Sequence, residues 1–338
     1  MPILAGFMVP HPPLIVPAIG KGGEEQILET TRAYERVAEE IAALQPDTLI
    51  VTSPHAVMYA DYFHISPGSK AEGSFRQFRA PGVRFSEQYD TELVNRICEL
   101  DPIEKKPLAR FFPGSMILSV GSFGCNLRCP FCQNYEISWS KQAKAFAATA
   151  ENVSPEELVD LALKTRPKGN IGLAFTYNEP LIGYEFVRDT AKFAHAEGLK
   201  NVMVTNGTAE LAVLEELRPY IDAMNIDLKG FTDRYYSDVL GGNRQQVMAF
   251  IEAAVKFCHV ELTTLIVPGE NDSEEEMREL SRWVGRLRLP DGSSVPLHIS
   301  RFFPRFHMQD RKATDVRMVY RLAEVAREHL EYVYTGNC

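Results

Sequence analysis

The sequence lacks most of what a membrane protein, a nucleic-acid-binding protein or a disulfide-rich protein requires. Its 36 Lys and Arg are outnumbered by 45 Asp and Glu, and the net charge of −9 argues against a surface that matches phosphates. No apolar run approaches the roughly 18 residues of a membrane-spanning helix, and no basic region precedes an apolar run at the start. Six cysteines are too few for a disulfide framework. We therefore expect a cytoplasmic protein with neither nucleic acid nor a membrane as a partner.

Two segments of different character meet near residue 100. Residues 1–100 predict strands at 3–9 and 48–52 and a helix over 24–44, which is the start of a small and incomplete α/β sheet. Residues 101–338 alternate strand and helix six times with short connections. Such alternation predicts parallel strands with right-handed crossovers, and six units suffice for a partial (β/α)6 barrel. We therefore predict two domains, with the boundary at residue 100.

The second segment supplies the elements of this barrel. Its predicted strands are 116–120, 171–176, 202–205, 223–228, 260–267 and 295–300. The helical patterns between them are 154–165, 183–197, 209–218, 243–257, 273–288 and 313–330. Ser154 and Ser273 are typical N-cap residues for two of these helices. In barrels of this kind the chemistry lies at the carboxyl ends of the strands, so the loops that follow them are where functional residues are expected.

Three cysteines fall within eight residues directly after the first of these strands, at Cys125, Cys129 and Cys132. The spacing C-x3-C-x2-C lets three thiolates ligate three corners of a cubane iron–sulfur cluster. No fourth cysteine lies nearby, so one iron would stay open to a ligand that the protein does not supply. A structural zinc site would need four protein ligands. We predict an iron–sulfur cluster, and the alternatives are a zinc knuckle or a fortuitous group of cysteines.

The phrase Cys125-x3-Cys129-x-Phe131-Cys132 resembles the signature of radical S-adenosylmethionine (radical SAM) enzymes. The resemblance covers about 101–338 and implies a TIM-like barrel with a [4Fe–4S] cluster whose open iron chelates the amino and carboxylate groups of SAM. It also implies reductive cleavage of SAM to a 5′-deoxyadenosyl radical, which abstracts hydrogen from a substrate that the motifs do not reveal.

Several phrases narrow the resemblance further. The runs 101–108, 132–138, 175–180 and 333–337 resemble the radical SAM enzyme of the AmmeMemoRadiSam system, which is related to the pyruvate formate-lyase activating enzymes. That likeness implies a reductant such as ferredoxin or flavodoxin. It also implies a protein substrate from the same system as one possibility, with a small molecule as the other.

Two strand ends carry acidic and basic residues that the resemblance assigns to SAM. Glu179 stands in Thr-Tyr-Asn-Glu-Pro, where the family usually has Gly-Gly-Glu-Pro, and its carboxylate can accept a charge-assisted bond from the amino group. Asp227-x-Lys229 resembles the Asp-x-Lys of pyruvate formate-lyase activating enzymes, which implies further contacts to SAM. The alternatives are a solvated loop acid for Glu179 and an internal ion pair for Asp227 and Lys229.

Two polar residues at other strand ends complete the predicted cofactor site. Asn206 lies in a Thr-Asn-Gly turn after the third strand, where a small polar loop can approach the cofactor. His298 alternates with Ser300 along the sixth strand, which predicts that it faces the barrel interior near SAM or substrate. The alternative for His298 is a hydrogen-bonded core residue.

The first hundred residues carry a different resemblance. Pro10-His11-Pro12-Pro13 and Ser53-Pro54-His55 resemble the opening of class III extradiol dioxygenase-like proteins, the LigB superfamily. A non-haem Fe(II) site needs two histidines and a carboxylate, and in that family the carboxylate comes late in a domain more than twice as long. We predict a truncated segment without ring-cleaving activity, joined by an in-frame fusion at 98–101; a weak metal site on His11 and His55 is the alternative.

Three classes of function are therefore compatible with the sequence. The first is a radical SAM enzyme that resembles an activating enzyme. The second is a metal-dependent dioxygenase that uses His11 and His55. The third is an iron–sulfur electron carrier or scaffold that turns over no substrate.

Overall fold

The computed structural model describes residues 5–7, 9, 12, 15–46, 49, 70–75, 80–88, 100–139 and 153–338. The chain divides into two compact units, Met1–Ile97 and Cys98–Cys338. His11 and His55 lie outside the described residues, as do most of the predicted strands at 3–9 and 48–52. The proposed dioxygenase-like metal site therefore stays a prediction from sequence.

The first unit contains a short helix α1 (Pro17–Gly20), a 3₁₀ helix (Gly23–Ile27) and a long helix α2 (Leu28–Leu44). An antiparallel hairpin of β1 (Lys70–Phe75) and β2 (Ala80–Gln88) follows. The predicted helix over 24–44 is confirmed, except that its first turn is 3₁₀ rather than α. The hairpin had no counterpart in the prediction, because its Gly, Ser and charged residues leave no alternating apolar pattern.

The second unit is built on one open sheet of eight strands, in the order β10-β9-β8-β7-β6-β5-β4-β3. The strands are β3 (Leu100–Pro102), β4 (Met116–Val120), β5 (Asn170–Phe175), β6 (Lys200–Thr205), β7 (Ala223–Asp227), β8 (His259–Ile266), β9 (Leu297–Arg301) and β10 (Val333–Gly336). Strands β4 to β10 are parallel, and β3 pairs antiparallel with β4. The partial barrel and its six predicted strands are confirmed, and the two short edge strands are additions.

Helices cover one face of this sheet. They are α3 (Pro155–Thr165), α4 (Tyr184–Ala196), α5 (Leu211–Leu217), α6 (Arg244–Ala254), α7 (Glu274–Val284) and α8 (Val316–Arg327). Ser154 forms a full capping box with Glu157 at the start of α3. Ser273 caps α7, but Glu276 does not complete a box there, because its carboxylate accepts from the Phe231 backbone N–H at 2.6 Å. Among the described residues, no helix is both long and apolar enough to cross a membrane.

A segment before β4 fills the face of the sheet that the helices leave uncovered. This plug segment, residues 103–111, buries Ile103, Leu108 and Phe111 in a small apolar cluster with the sheet residues Ile117, Ala174, Val202 and Ala223. The larger core lies between the opposite face of the sheet and the helices. The sheet residues of this cluster lie at different points along their strands, since Ala223 begins β7 whereas Ala174 is next to last in β5. The plug segment also reaches the carboxyl edge of the sheet, where the Lys106 ammonium lies 4.7 Å from the centroid of the Tyr177 ring.

Glu261 of β8 joins the plug segment to the sheet. Its carboxylate is fully buried and accepts hydrogen bonds from the backbone N–H groups of Ala109 and Arg110 at 3.0 and 2.8 Å. The ring nitrogens of His259 and His298 lie 2.9 and 2.6 Å from its oxygens. Burial by itself would raise the pKa of Glu261, but the hydrogen bonds from the two histidines and the charge of His298 lower it to about 2.

Because the pKa of Glu261 is lowered, the free energy of unfolding of the second unit should decrease as the pH becomes acidic. A pKa below the ordinary 4.5 means that the ionised carboxylate stabilises the fold above about pH 4.5, and that this contribution is lost as the pH falls toward 2. Between pH 5 and pH 2.5 we expect the unaltered chain to lose about 2–3 kcal/mol of unfolding free energy that a Glu261→Gln variant does not lose. Urea unfolding followed by fluorescence measures this, because both tryptophans, Trp139 and Trp283, lie in the second unit. Parallel pH profiles of the two proteins would contradict the expectation.

Candidate functional site

The three predicted cluster ligands lie in one loop that follows β4, here called the cysteine loop (residues 121–134). All three are free thiols, with Cys129 buried and Cys125 and Cys132 half-buried. Gly124, directly before Cys125, has a left-handed φ of 104°, and a Cβ there would overlap the Ile182 side chain. Glycine is therefore required at this position for the loop to turn toward the end of β5.

The thiols of this loop influence one another. The pKa of Cys125 is raised to about 11 and that of Cys129 to about 12, chiefly by burial; the neighbouring thiols add to the increase, and Lys229 opposes it. Without a bound cation the two thiols are therefore neutral near pH 7, and metal binding would release their protons. Among the described residues, no three His, Cys, Asp or Glu side chains are grouped to hold a single metal ion. In a cubane cluster each cysteine binds a different iron, so this donor set fits a cluster rather than one ion.

The loop after β5 is held directly against the cysteine loop. Asn178 accepts from the Ser122 backbone N–H at 2.8 Å, and its amide donates to the Ser122 hydroxyl at 2.8 Å and the Gly124 carbonyl at 3.2 Å. Tyr177 stands at the position of the first glycine in the related motif, and its φ of 73° lies in the left-handed region. That conformation costs a non-glycine residue about 1–2 kcal/mol. A hydrogen bond of 2.9 Å from the Tyr177 hydroxyl to Asp101 offsets part of this cost.

Glu179 is buried between the ends of β5 and β6. One carboxylate oxygen accepts from the Thr205 hydroxyl at 2.6 Å and the Leu181 N–H at 3.0 Å, and the other accepts from the Asn206 N–H at 2.7 Å. Burial raises its pKa to about 7, although these three hydrogen bonds act in the opposite direction. Glu179 is therefore a buried acceptor and not a solvated loop acid. Its carboxylate organises the turn after β6.

Asn206 connects that turn to the cysteine loop. Its amide donates to the side-chain oxygen of Asn126 at 2.8 Å and lies 3.7 Å from the Cys125 sulfur. Its own oxygen accepts from the Thr208 N–H at 2.8 Å. The structure thus brings Glu179 and Asn206 together beside one of the three cysteines, as expected from their positions at neighbouring strand ends.

Asp227 and Lys229 form an ion pair at the end of β7, with 2.7 Å between Oδ2 and Nζ. Burial by itself would lower the pKa of Lys229, but Asp227 and the thiols of Cys129 and Cys125 hold it well above the ordinary value. The cation therefore lies within the electrostatic reach of the cysteine loop. The Asp227 side chain keeps 32% of its surface exposed, so the pair has an open side.

His298 is the one predicted cofactor residue whose described contacts lie elsewhere. Its ring bonds Glu261 and stacks on Tyr334 with 5.1 Å between the ring centroids. This is the arrangement of a hydrogen-bonded core histidine beside the plug segment. A contact between His298 and a cofactor stays a prediction.

Sequence reasoning missed the amides that hold the site together. Asn126 follows Cys125 and donates to the Thr208 carbonyl at 2.6 Å. Asn271 is buried after β8, and its amide donates to the carbonyls of Lys229 and Leu265 at 2.7 and 2.8 Å. The available signal was an asparagine at a strand end or next to a cysteine, which by itself is also typical of an ordinary turn.

Comparisons with known proteins show which families the chain resembles. A family model of the radical SAM superfamily matches residues 119–281, and a model of the catalytic LigB subunit of aromatic ring-opening dioxygenase matches residues 5–104. The chain is 38% identical over 246 residues to the uncharacterized protein MJ0808 of Methanocaldococcus jannaschii, a match that covers 72% of this chain and 70% of that protein. It is 27% identical over 169 residues to the pyruvate formate-lyase-activating enzyme of Clostridium pasteurianum, which covers 49% of this chain and 68% of that enzyme.

The fold has solved counterparts as well. The crystal structure of Streptococcus suis SuiB bound to S-adenosylmethionine aligns with a TM-score of 0.51 at 13% identity, over 66% of this chain and 51% of that one. At this identity the likeness shows the fold alone. The family match, the relatives and the fold confirm three predictions: the radical SAM family, the partial-barrel fold class and an enzymatic function. The chain therefore belongs to the radical SAM superfamily as an enzyme similar to the pyruvate formate-lyase-activating enzymes, and a LigB-family segment precedes its radical SAM domain.

Proposed function

We propose that the chain binds a [4Fe–4S] cluster through Cys125, Cys129 and Cys132 and cleaves SAM reductively to begin a radical reaction. The observation that carries this proposal is that one loop holds three free thiols and that two of them, Cys125 and Cys129, lie within the electrostatic reach of the half-buried cation Lys229 at the carboxyl edge of the sheet. A structural zinc site is disfavoured, because it needs four protein ligands around one ion, and no group of even three such ligands lies together among the described residues.

A cluster held by Cys125, Cys129 and Cys132 would supply the single electron that cleavage of SAM to methionine and a 5′-deoxyadenosyl radical requires, and that radical would serve for hydrogen abstraction from a substrate. The electron would come from a low-potential protein such as ferredoxin or flavodoxin. Because the relatives are named as activating enzymes of pyruvate formate-lyase, we infer that the substrate is itself a protein.

The residues of this chain would hold SAM by its charged end. We infer that Lys229 and Asp227 contact SAM, since they form a partly exposed ion pair within reach of the thiols. Glu179 accepts three internal hydrogen bonds, which leaves capacity for one more from an amino group. Asn206 would contact SAM at this end of the site. His298 would lie at the inner edge of the site, near SAM or the substrate.

The plug segment would keep water from the radical. Its residues Ile103, Leu108 and Phe111 are all buried against the sheet. Closing a site against water suppresses the side reactions of a reactive intermediate.

Replacing Cys129 by Ala should abolish the cluster. Reconstitution with iron and sulfide under anaerobic conditions should give the unaltered chain a brown colour, and dithionite with SAM should then release 5′-deoxyadenosine. The Cys129→Ala variant should show neither, since a cubane held by two cysteines loses a ligand on one iron. Absorbance and chromatography of the products measure the two effects.

A Cys338→Ala variant is the matched control, because Cys338 is exposed and far from the cysteine loop in sequence. It should behave as the unaltered chain does. Full cluster absorbance in Cys129→Ala would contradict the ligand assignment. A brown unaltered chain that is reduced reversibly but never cleaves SAM would favour an electron carrier instead.

Replacing Lys229 by Met should weaken SAM binding without loss of the cluster. A charge-assisted contact contributes about 1.5–3 kcal/mol, so the Kd for SAM should rise at least about tenfold. Equilibrium dialysis of the reconstituted protein measures the Kd, and iron and sulfide analysis verifies the loading. An Arg321→Gln variant removes an exposed ion pair with Glu274 on the surface and should leave the Kd unchanged. An unaltered Kd in Lys229→Met would exclude the proposed contact.

Replacing Glu179 by Gln should destabilise the chain even without iron or SAM. The glutamine side chain would place its own N–H groups opposite either the Asn206 N–H or the donors of Thr205 and Leu181. Two hydrogen-bond donors would then face each other with no acceptor between them. The expected loss is about 1–3 kcal/mol of unfolding free energy, as for a buried donor left without an acceptor. Urea unfolding of the unloaded protein measures it. Equal stability of the variant would mean that the carboxylate does not organise the turn.

A further inference from the structure

A buried ion pair joins the plug segment to the first strand of the second unit. Asp101 of β3 and Lys106 of the plug segment are 4% and 2% exposed, and 2.7 Å separates Oδ2 from Nζ. Burial by itself would raise the pKa of Asp101, but the charge of Lys106 and hydrogen bonds from Lys105, Lys106 and Ser119 hold it well below the ordinary value. Pairing recovers little net stability once both charges have lost their hydration, so the pair is better explained by what it positions.

The Asp101 carboxylate holds Tyr177, in the loop after β5. The same oxygen that bonds Lys106 accepts from the Tyr177 hydroxyl at 2.9 Å, and the Lys106 ammonium lies 4.7 Å from the centroid of the tyrosine ring. The side chain therefore has an acceptor at its hydroxyl and a cation at the face of its ring. The hydroxyl and its acceptor are 76 positions apart in the chain, so the tertiary structure brings them together.

Tyr177 contacts both ends of the cysteine loop. Its backbone carbonyl accepts from the side-chain amide of Asn134, the last residue of the loop, at 2.7 Å. Its ring lies against Gly121, the first residue of the loop, so closely that a Cβ on that glycine would come within 3.1 Å of the ring. Tyr177 makes both contacts in a left-handed conformation, with a φ of 73°. A change to an ordinary conformation would redirect the ring and the carbonyl together.

We propose that Asp101 and Lys106 are positioning residues that act through Tyr177 to hold the cysteine loop in the conformation that binds the cluster. The hydrogen bond to Asp101 stabilises a backbone conformation that a non-glycine residue otherwise adopts only at a cost. Because Tyr177 holds both ends of the loop, the three thiols lose less conformational entropy when they bind a cluster. The cluster in this inference rests on the proposed function, whereas the contacts belong to the unloaded chain.

A Tyr177→Phe variant tests the inference in the unloaded protein, since it removes the hydroxyl and leaves the ion pair in place. Cys129 and Cys258 are both buried thiols, 8% and 4% exposed, and of the two only Cys129 lies in the cysteine loop. Reaction of the reduced protein with iodoacetamide, followed by peptide mass spectrometry, measures how often each thiol becomes accessible. The rate at Cys129 should rise about tenfold, as for the loss of a hydrogen bond to a charged group, and the rate at Cys258 should stay the same.

A second variant removes the acceptor instead of the donor. Replacing Asp101 by Leu together with Lys106 by Met removes both charges, so that neither is left buried without its partner. The rate at Cys129 should rise by a similar factor. Adding Tyr177→Phe to this variant should have no further effect, because the hydroxyl has no carboxylate to bond there and the two changes act on one interaction.

Tyr135→Phe is the matched control, because the hydroxyl of Tyr135 contacts Glu136 at the protein surface, at 3.5 Å. It should change neither rate. An unchanged rate at Cys129 in Tyr177→Phe, or equal increases at Cys129 and Cys258, would overturn the inference. A further increase in the triple variant would overturn it as well, because the hydroxyl would then act without this acceptor.

The loaded protein supplies a separate measurement. After reconstitution with iron and sulfide, EDTA should remove the cluster from Tyr177→Phe about tenfold faster than from the unaltered chain, because the loop opens more often. Absorbance follows the loss, and equal rates would overturn the positioning role. If the unaltered chain binds no cluster, the proposed function fails, and the labelling of the unloaded protein still decides whether Tyr177 holds the loop.

Discussion

Glu179 joins the ends of three neighbouring strands through its carboxylate and its backbone N–H, and the arrangement of the site depends on it. Its oxygens accept from Leu181 after β5 and from Thr205 and Asn206 at the end of β6. Its own backbone N–H donates to the Gly124 carbonyl of the cysteine loop after β4 at 3.3 Å. Strand ends in a parallel sheet come close together without any such bond, but their loops need one to take a single conformation.

The two buried glutamates, Glu261 and Glu179, have different roles: the first stabilises the fold, and the second organises the functional site. Glu261 has two histidines beside it and belongs to the plug segment, and its pKa is lowered to about 2. Glu179 has only neutral donors, and burial raises its pKa to about 7. The contrast has a physical reason, since hydrogen bonds from neutral groups do not compensate for the loss of hydration as a nearby cation does. Charge at the carboxyl edge is instead concentrated in the Asp227–Lys229 pair.

Much of the fold could be predicted from the sequence. The six central strands were found to within a few residues, because parallel strands buried on both faces appear as short apolar runs between turn residues. The edge strands β3 and β10 were missed, since three or four residues are too few to form a pattern. The 3₁₀ turn before α2 and the hairpin β1–β2 were also missed, because their residues leave no regular apolar pattern.

The sequence by itself determined the family and the positions of the three cysteines in one loop, because the C-x3-C-x2-C spacing places them within eight residues directly after a strand. It also determined which strand ends carry Glu179, Asn206 and the Asp227–Lys229 pair. Only the tertiary structure decided that His298 belongs with Glu261, and that Asn206 bonds Asn126 of the cysteine loop. Such contacts join residues far apart in the chain, and side-chain packing rather than local spacing selects them.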